Sequence, residues 1–495
     1  MTTETKPAQA VQPRAYQQFI NGQYVPSTTG QTFERKSPAD GTLVETIAWG
    51  DVEDARRAIA AARAAFDDGP WRKATGPERA KLLRKIAAKM REEQQPLGEL
   101  LSREVGKPVR MAVAEVAQSA WVFDYYAALA LDLRGESITN FAPDAVGLAV
   151  HEPVGVVGII TPWNFPISLV SWKVAPALAA GCAVVIKPSE FTAGISFELA
   201  RIAAEAGAPD GVVNVVTGPG PVVGAELAAS MKVDKVAFTG STAVGKSIMQ
   251  AASSNVKKVS LELGGKSPNI VFPDADMEQA LRGTLYGIYM NSGQVCQAGT
   301  RLFVHEAIKD EFLARLQELT KSAKVGDPND PGVTMGPLIN EAQLAKVLKY
   351  MEIGQEEGAS MVCGGSRLTG EGYDQGLYVQ PTIFDGVRND MKIAQDEIFG
   401  PVLSVLTFKD ADDALRLAND TIYGLASAVW TSDLNTAFKV SKGLQAGTVW
   451  VNAYHSTSIV FMPYGGYKQS GTGREMGHEG LHEYLETKAI QIKLS

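Results

Sequence analysis

Between Val154 and Leu261 the sequence repeats one pattern five times: a short apolar run, then turn residues, then a stretch with helical spacing. The runs are Val154 to Ile160, Ala183 to Lys187, Val212 to Val216, Lys235 to Phe238 and Val256 to Leu261. Strands that alternate with helices return parallel to one another, so this rhythm predicts an α/β fold with an open parallel sheet and crossover helices. Such a sheet places ligands beyond the carboxyl ends of its strands. The residues that follow each run are therefore candidates: Thr161 to Pro166, Pro188 to Glu190, Gly218 to Gly220, Thr239 to Gly245 and Glu262 to Gly265.

A second alternating region starts near Pro268 and continues through Val362, Val379 and Val402 to Val451, which predicts another α/β unit containing Cys296. Ahead of both, Val52 to Asp67 and Glu78 to Glu104 have the spacing of surface helices. Met1 to Arg14 is polar with no apolar stretch for a signal sequence, and reads as a frayed tail. No run of eighteen apolar residues occurs, which speaks against a membrane span. A net charge of -8 sets up no basic field for a nucleic acid. Cys182, Cys296 and Cys363 are odd in number and far apart, a pattern that suits a reducing cytoplasm better than a disulfide framework or a zinc site.

Five motifs then occur in a telling order: Thr161-Pro-Trp-Asn-Phe-Pro166, Phe238-Thr-Gly-Ser-Thr242, Leu261-Glu-Leu-Gly-Gly-Lys266, Gly293-Gln-Val-Cys296 and Glu397-Ile-Phe-Gly-Pro401. Together, and with 34 positions from Glu262 to Cys296, they resemble the signatures of the NAD(P)-dependent aldehyde dehydrogenase superfamily from about Ile20 onward. The resemblance implies oxidation of an aldehyde to an acid. Cys296 resembles the nucleophile; a thiol is a strong nucleophile once its thiolate fraction is raised. Asn164 resembles the amide that stabilises the oxyanion with the Cys296 backbone N–H, and Glu262 the base that activates water against the thioester.

For the cofactor, the resemblance places Ile160, Thr161, Pro162, Trp163, Lys187, Glu190, Gly220, Phe238, Gly240, Ser241, Val244, Leu263, Glu397 and Phe399 against the dinucleotide. A carboxylate accepts from a free ribose 2′-hydroxyl and repels a 2′-phosphate, so Glu190 favours NAD, with NADP possible. Phe165, Ser168, Trp172, Val295, Gln297, Phe461 and Tyr464 are candidates for the substrate pocket, within or beside the loop His455 to Tyr464, which also carries Ile459, Val460 and Met462. Their apolar character suits an aliphatic, terpenoid or aromatic aldehyde. The implied division is a tail over residues 1–14, a Rossmann-like NAD-binding domain over 15–130 and 153–263, a catalytic α/β domain over 264–465, and a small β arm over 131–152 and 480–495. That arm predicts a homodimer or a tetramer built from dimers.

Two patterns point elsewhere. Gly240-Ser-Thr-Ala-Val-Gly245-Lys246-Ser247 satisfies the phosphate-loop pattern literally, making a nucleotide hydrolase the rival enzyme, and a retired family member without catalysis is the rival structural protein. His478-Glu-Gly-Leu-His482 fits the zinc-protease pattern, but Gly480 weakens its helix by roughly 1 kcal/mol and little chain follows for a third ligand. No metal is expected.

Overall fold

The computed structural model describes residues 12–455 and 460–494. Most of the expected tail lies outside them, but Arg14 does not belong to it: it opens the strand Arg14–Tyr16 and pairs with Glu198.

The five apolar runs form the parallel centre of an eight-stranded sheet, in the spatial order Lys258–Glu262, Lys235–Thr239, Val156–Ile160, Ala183–Lys187, Val213–Val215. Side chains alternate between its faces. Val156, Ile160, Val185 and Phe238 meet Ala55, Ile59 and Ala62 of the helix Val52–Asp67 on one side. Val157, Ile159, Val184 and Ile186 meet the helices Pro166–Ala180 and Gly194–Ala206 on the other. Burial on both faces is why these strands read as unbroken apolar runs. The fifth run starts late: Val256 is 91% exposed with φ 56°, and pairing begins at Lys258. Strand order reverses between Val156–Ile160 and Lys235–Thr239, which opens a crevice at their carboxyl ends.

The expected Glu78 to Glu104 helix is two helices, Gly76–Glu92 and Gln94–Val105, broken at Glu93. They are not merely a surface layer. With Val109–Leu131 they bury Leu83, Ile86, Met90, Leu101, Val116 and Phe123 in the main core. Gly98 permits the close crossing, since a Cβ there would lie 2.4 Å from a Val113 methyl.

A second sheet has the order Ser360–Cys363, Thr382–Asp385, Val402–Phe408, Arg301–His305, Pro268–Val271, Ala426–Trp430, Thr448–Val451, and is parallel except at Ser360–Cys363. Val379 lies outside its strands, in an isolated bridge to Arg367. A third, antiparallel sheet pairs Leu485–Lys493 with Ala145–Pro153 along nine registered positions and adds Glu136–Ile138. No helix among the described residues is long and apolar enough to cross a membrane. Phe123→Ala removes a fully buried ring and is expected to cost about 3–5 kcal/mol of stability, read as a lowered midpoint in denaturant unfolding.

Candidate active site

The loop bearing Cys296 follows the helix Met277–Tyr289 through a tight turn in which Asn291, Ser292 and Gly293 all have positive φ. Glycine is required at the last of these: a Cβ on Gly293 would sit 2.2 Å from the Gly400 carbonyl. The turn hands its polar groups to the first sheet. Asn291 Nδ2 donates to the Asn164 backbone carbonyl at 3.0 Å, and Asn164 Nδ2 donates to the Gln294 carbonyl at 3.0 Å. Asn164 is buried just past the strand Val156–Ile160, so the two sheets are stitched together beside the thiol. The second N–H of its amide has no acceptor among the described residues.

Cys296 Sγ lies 3.5 Å from the Tyr464 hydroxyl. Burial pushes this thiol up to about 12; the nearby Glu262 and Glu397 carboxyls add to the shift, while the Tyr464 hydrogen bond opposes it. Glu262 ends the strand Lys258–Glu262, and neither carboxyl oxygen has a hydrogen-bond partner among the described residues. Burial above all, with Glu475 nearby, holds its carboxyl well above the usual range, against the pull of Lys173 and Arg474. The thiol therefore rests uncharged at neutral pH, and the carboxyl is biased towards its protonated form. A partly buried thiol and a buried, orphaned carboxylic acid in one site can do acyl chemistry once each loses its proton in turn.

Lys187, ending Ala183–Lys187, is buried and 3.8 Å from Glu190 in the following turn; burial lowers its ammonium. Ser241 caps the helix Thr242–Ala252 by accepting from the Val244 N–H at 3.4 Å. Glu397 accepts from the Gly265 N–H at 3.1 Å, and a Cβ on Gly264 would come within 2.4 Å of its carboxylate. Burial raises this carboxyl too. Phe399, at φ 62°, sets its ring edge-on to Trp163 with centroids 5.3 Å apart. Ile160, Phe238 and Leu263 are packed in one core cluster at this edge of the sheet. Thr161 and Pro162 begin the turn after the first strand, Gly240 donates to the Glu262 carbonyl, and a Cβ on Gly220 would meet nothing within 4 Å. A helix N-terminus, a buried amine, two carboxylates and open backbone along one sheet edge fit a dinucleotide.

The same helix removes the phosphate-loop reading. Thr242, Ala243 and Val244 are already helical, so no loop of free amides lies between Gly240 and Gly245. Ser247 bonds back to the Ala243 carbonyl, and Lys246 Nζ goes to the Gln469 side chain at 2.9 Å. Nothing supports a nucleotide hydrolase. In the zinc-like motif, His482 sits edge-on to His151, with ring centroids 5.3 Å apart.

Around the thiol, Trp172 packs edge-on to Tyr464 at 5.3 Å, and Phe165 lies at the start of the helix Pro166–Ala180. Gln297 pairs with His455 at 2.7 Å, and Val295 is buried in the core of the second sheet. Phe461, half exposed, stands edge-on to Tyr125. Ser168 faces elsewhere, its hydroxyl towards Ser119 and its N–H towards Glu115. Ile459 lies outside the described residues. Unanticipated groups complete the site: Lys173 bonds Glu475 at 2.6 Å and Thr239 at 2.6 Å beneath Glu262. Lys173 is the one charged residue in the apolar run of Pro166–Ala180, a signal the sequence does carry.

Residues 24–490 match the aldehyde dehydrogenase family. A betaine aldehyde dehydrogenase of Bacillus subtilis is 47% identical over 472 residues, covering 95% of this chain and 96% of that one. Among solved structures, an NAD-dependent aldehyde dehydrogenase from Sinorhizobium meliloti superposes with TM-score 0.95 at 46% identity, over 97% and 95% of the two chains. A betaine aldehyde dehydrogenase from Staphylococcus aureus in complex with NAD+ does so with TM-score 0.95 at 42% identity, over 96% and 95%.

Because the cofactor-free Cys296 thiol is pushed up to about 12, its thiolate fraction is expected to grow roughly tenfold per pH unit well past the usual thiol value of about 8.5. Iodoacetamide alkylation, corrected with a Cys296→Ala blank, should keep rising through pH 10 instead of levelling near 9.

Proposed function

This chain belongs to the aldehyde dehydrogenase family, and on that premise we propose that it oxidises an aldehyde to the carboxylic acid through a thioester on Cys296, with NAD. The observation that carries the reading is the convergence of the Cys296 thiol, the Glu262 carboxyl that has no hydrogen-bond partner among the described residues, and the half-free Asn164 amide where the two sheets meet. A retired member would have no need to keep three such groups together.

Cys296, its proton released to solvent, attacks the carbonyl carbon, forming a C–S bond as the π electrons move to oxygen. That oxyanion takes hydrogen bonds from the second Asn164 N–H and the Cys296 backbone N–H, donors of a kind worth about a hundred- to a thousand-fold in rate. Lys187, Glu190, Ser241, Glu397 and Phe399 would hold NAD, which when bound would supply the hydride acceptor needed between the adduct and the thioester. Glu262 then takes a proton from water, the hydroxide attacks the thioester, and the C–S bond breaks to release the acid. Cys296 is left as thiolate and recovers a proton from Glu262. Glu190 supports NAD over NADP through its affinity for a free 2′-hydroxyl.

The Tyr464 hydroxyl beside Cys296, with Trp172 edge-on to that ring, suits an aliphatic, terpenoid or aromatic aldehyde. We assign residues 15–130 and 153–263 to cofactor binding and 264–465 to catalysis. The sheet of Leu485–Lys493 and Ala145–Pro153 serves as the subunit arm of a homodimer or a dimer of dimers. Three free cysteines suit a reducing compartment such as the cytoplasm.

Absorbance of reduced nicotinamide, followed with a panel of aldehydes and either NAD or NADP, tests the reaction. Wild type is expected to reduce NAD with an apolar aldehyde and Cys296→Ala to show none; equal reduction by the variant would reject the thioester route. Since Glu262 must be ionised to act and its carboxyl is raised well above the usual range, thioester hydrolysis should go on accelerating as pH rises beyond the ordinary carboxylate range of about 4. A rate that levels off within the ordinary carboxylate range of about 4 would contradict that role.

A further inference from the structure

Beneath the turn that carries Asn164 lies a buried ion pair that touches no reacting atom. Lys107 and Glu115 are 3% and 4% exposed, and Lys107 Nζ is 2.5 Å from Glu115 Oε2. The ammonium has three protons and three partners. Besides Glu115 it donates to the Asn164 backbone carbonyl at 2.8 Å, and it stands 4.1 Å from the centre of the Phe165 ring. The other Glu115 oxygen accepts from the Ser168 N–H at 3.3 Å, in the first turn of Pro166–Ala180. One charge pair thus grips Asn164, Phe165 and Ser168 together.

Stability gives a weak reason for such a pair, because well-packed apolar residues in place of a buried ion pair are often neutral or stabilising. Geometry gives a better one. The Asn164 carbonyl is held from one side by Lys107 and from the other by Asn291, while its side-chain amide is anchored to the Gln294 carbonyl beside Cys296. The backbone of Asn164 is thereby fixed by donors from two separate parts of the chain, leaving one amide N–H to point at chemistry.

We propose that Lys107, tethered by Glu115, is a positioning residue that aims the Asn164 amide at the oxyanion formed during attack by Cys296. This rests on the reading of Asn164 as the oxyanion donor. A misplacement of about 1 Å at such a donor can cost on the order of a hundredfold in rate.

The test is a mutant cycle on the full-length enzyme with NAD, comparing Asn164→Ala, the charge-neutral pair Lys107→Met with Glu115→Gln, and all three substitutions combined. The neutral pair leaves no uncompensated buried charge. It is expected to lower kcat/KM by about ten- to a hundredfold, to leave iodoacetamide alkylation of Cys296 unchanged because that reaction forms no oxyanion, and to add no further loss once Asn164 is already alanine. Glu115→Gln alone keeps the Lys107 donor but leaves its charge without a buried partner, so it is expected to lower the unfolding midpoint while losing less turnover, per folded enzyme, than the pair. Losses that multiply in the combined variant, alkylation that falls in step with turnover, or a loss in Glu115→Gln equal to that of the pair would each overturn the positioning role. An Asn164→Ala enzyme with unchanged kcat/KM would instead overturn the oxyanion reading, and the positioning role with it.

Discussion

Desolvation of two reacting groups is the constraint on which the site depends. Cys296 and Glu262 lie where water is largely excluded, so both prefer their protonated forms. Ionising both at once would place two negative charges in a medium that stabilises neither. The chemistry is accordingly split in time, with the thiol deprotonated for attack and the carboxyl for hydrolysis. A resting neutral thiol is also a poor target for stray electrophiles, since reactivity follows the thiolate.

Low polarity of this kind demands that the few polar groups present be held firmly, and the fold supplies that from two sheets. The switch point of the first sheet presents the turn with Asn164 and the strand end with Glu262. The second sheet presents the left-handed turn that leads to Cys296, and Glu397 reaches back to the Gly265 N–H. Glycines mark the closest approaches: a Cβ on Gly265 would lie 2.3 Å from the Cys296 carbonyl. Lys173, Glu475 and Thr239 form a hydrogen-bonded platform under Glu262, and Lys107 with Glu115 does the same under Asn164. Buried polar networks of this sort specify one arrangement because partial satisfaction is costly.

Much of this was legible in the residues. The parallel strands are apolar on both faces, so the runs at Ala183–Lys187 and around Val156–Ile160 could be read directly, and the motifs around Cys296 and Glu262 marked the crevice. What escaped depended on partners distant in sequence. The helical spacing of residues 78–104 continues across Glu93, so the break into Gly76–Glu92 and Gln94–Val105 leaves no periodic trace. Ser168 and Trp172 are one helical turn apart, yet the first faces Ser119 and the second faces Tyr464. Lys107 resembles any surface lysine until Glu115, Asn164 and Phe165 are brought around it. The phosphate-loop pattern was a coincidence of letters, since its second glycine falls inside a helix.

The most direct measurement of the central claim is the intact mass of a Glu262→Gln enzyme quenched with acid after mixing with NAD and an aldehyde. A mass increase equal to the acyl group, mapped to the peptide containing Cys296, is the expected result, because the thioester forms but is not hydrolysed. An enzyme that turns over at the wild-type rate with no acyl group on that peptide would contradict both the covalent route through Cys296 and the role of Glu262 in ending it.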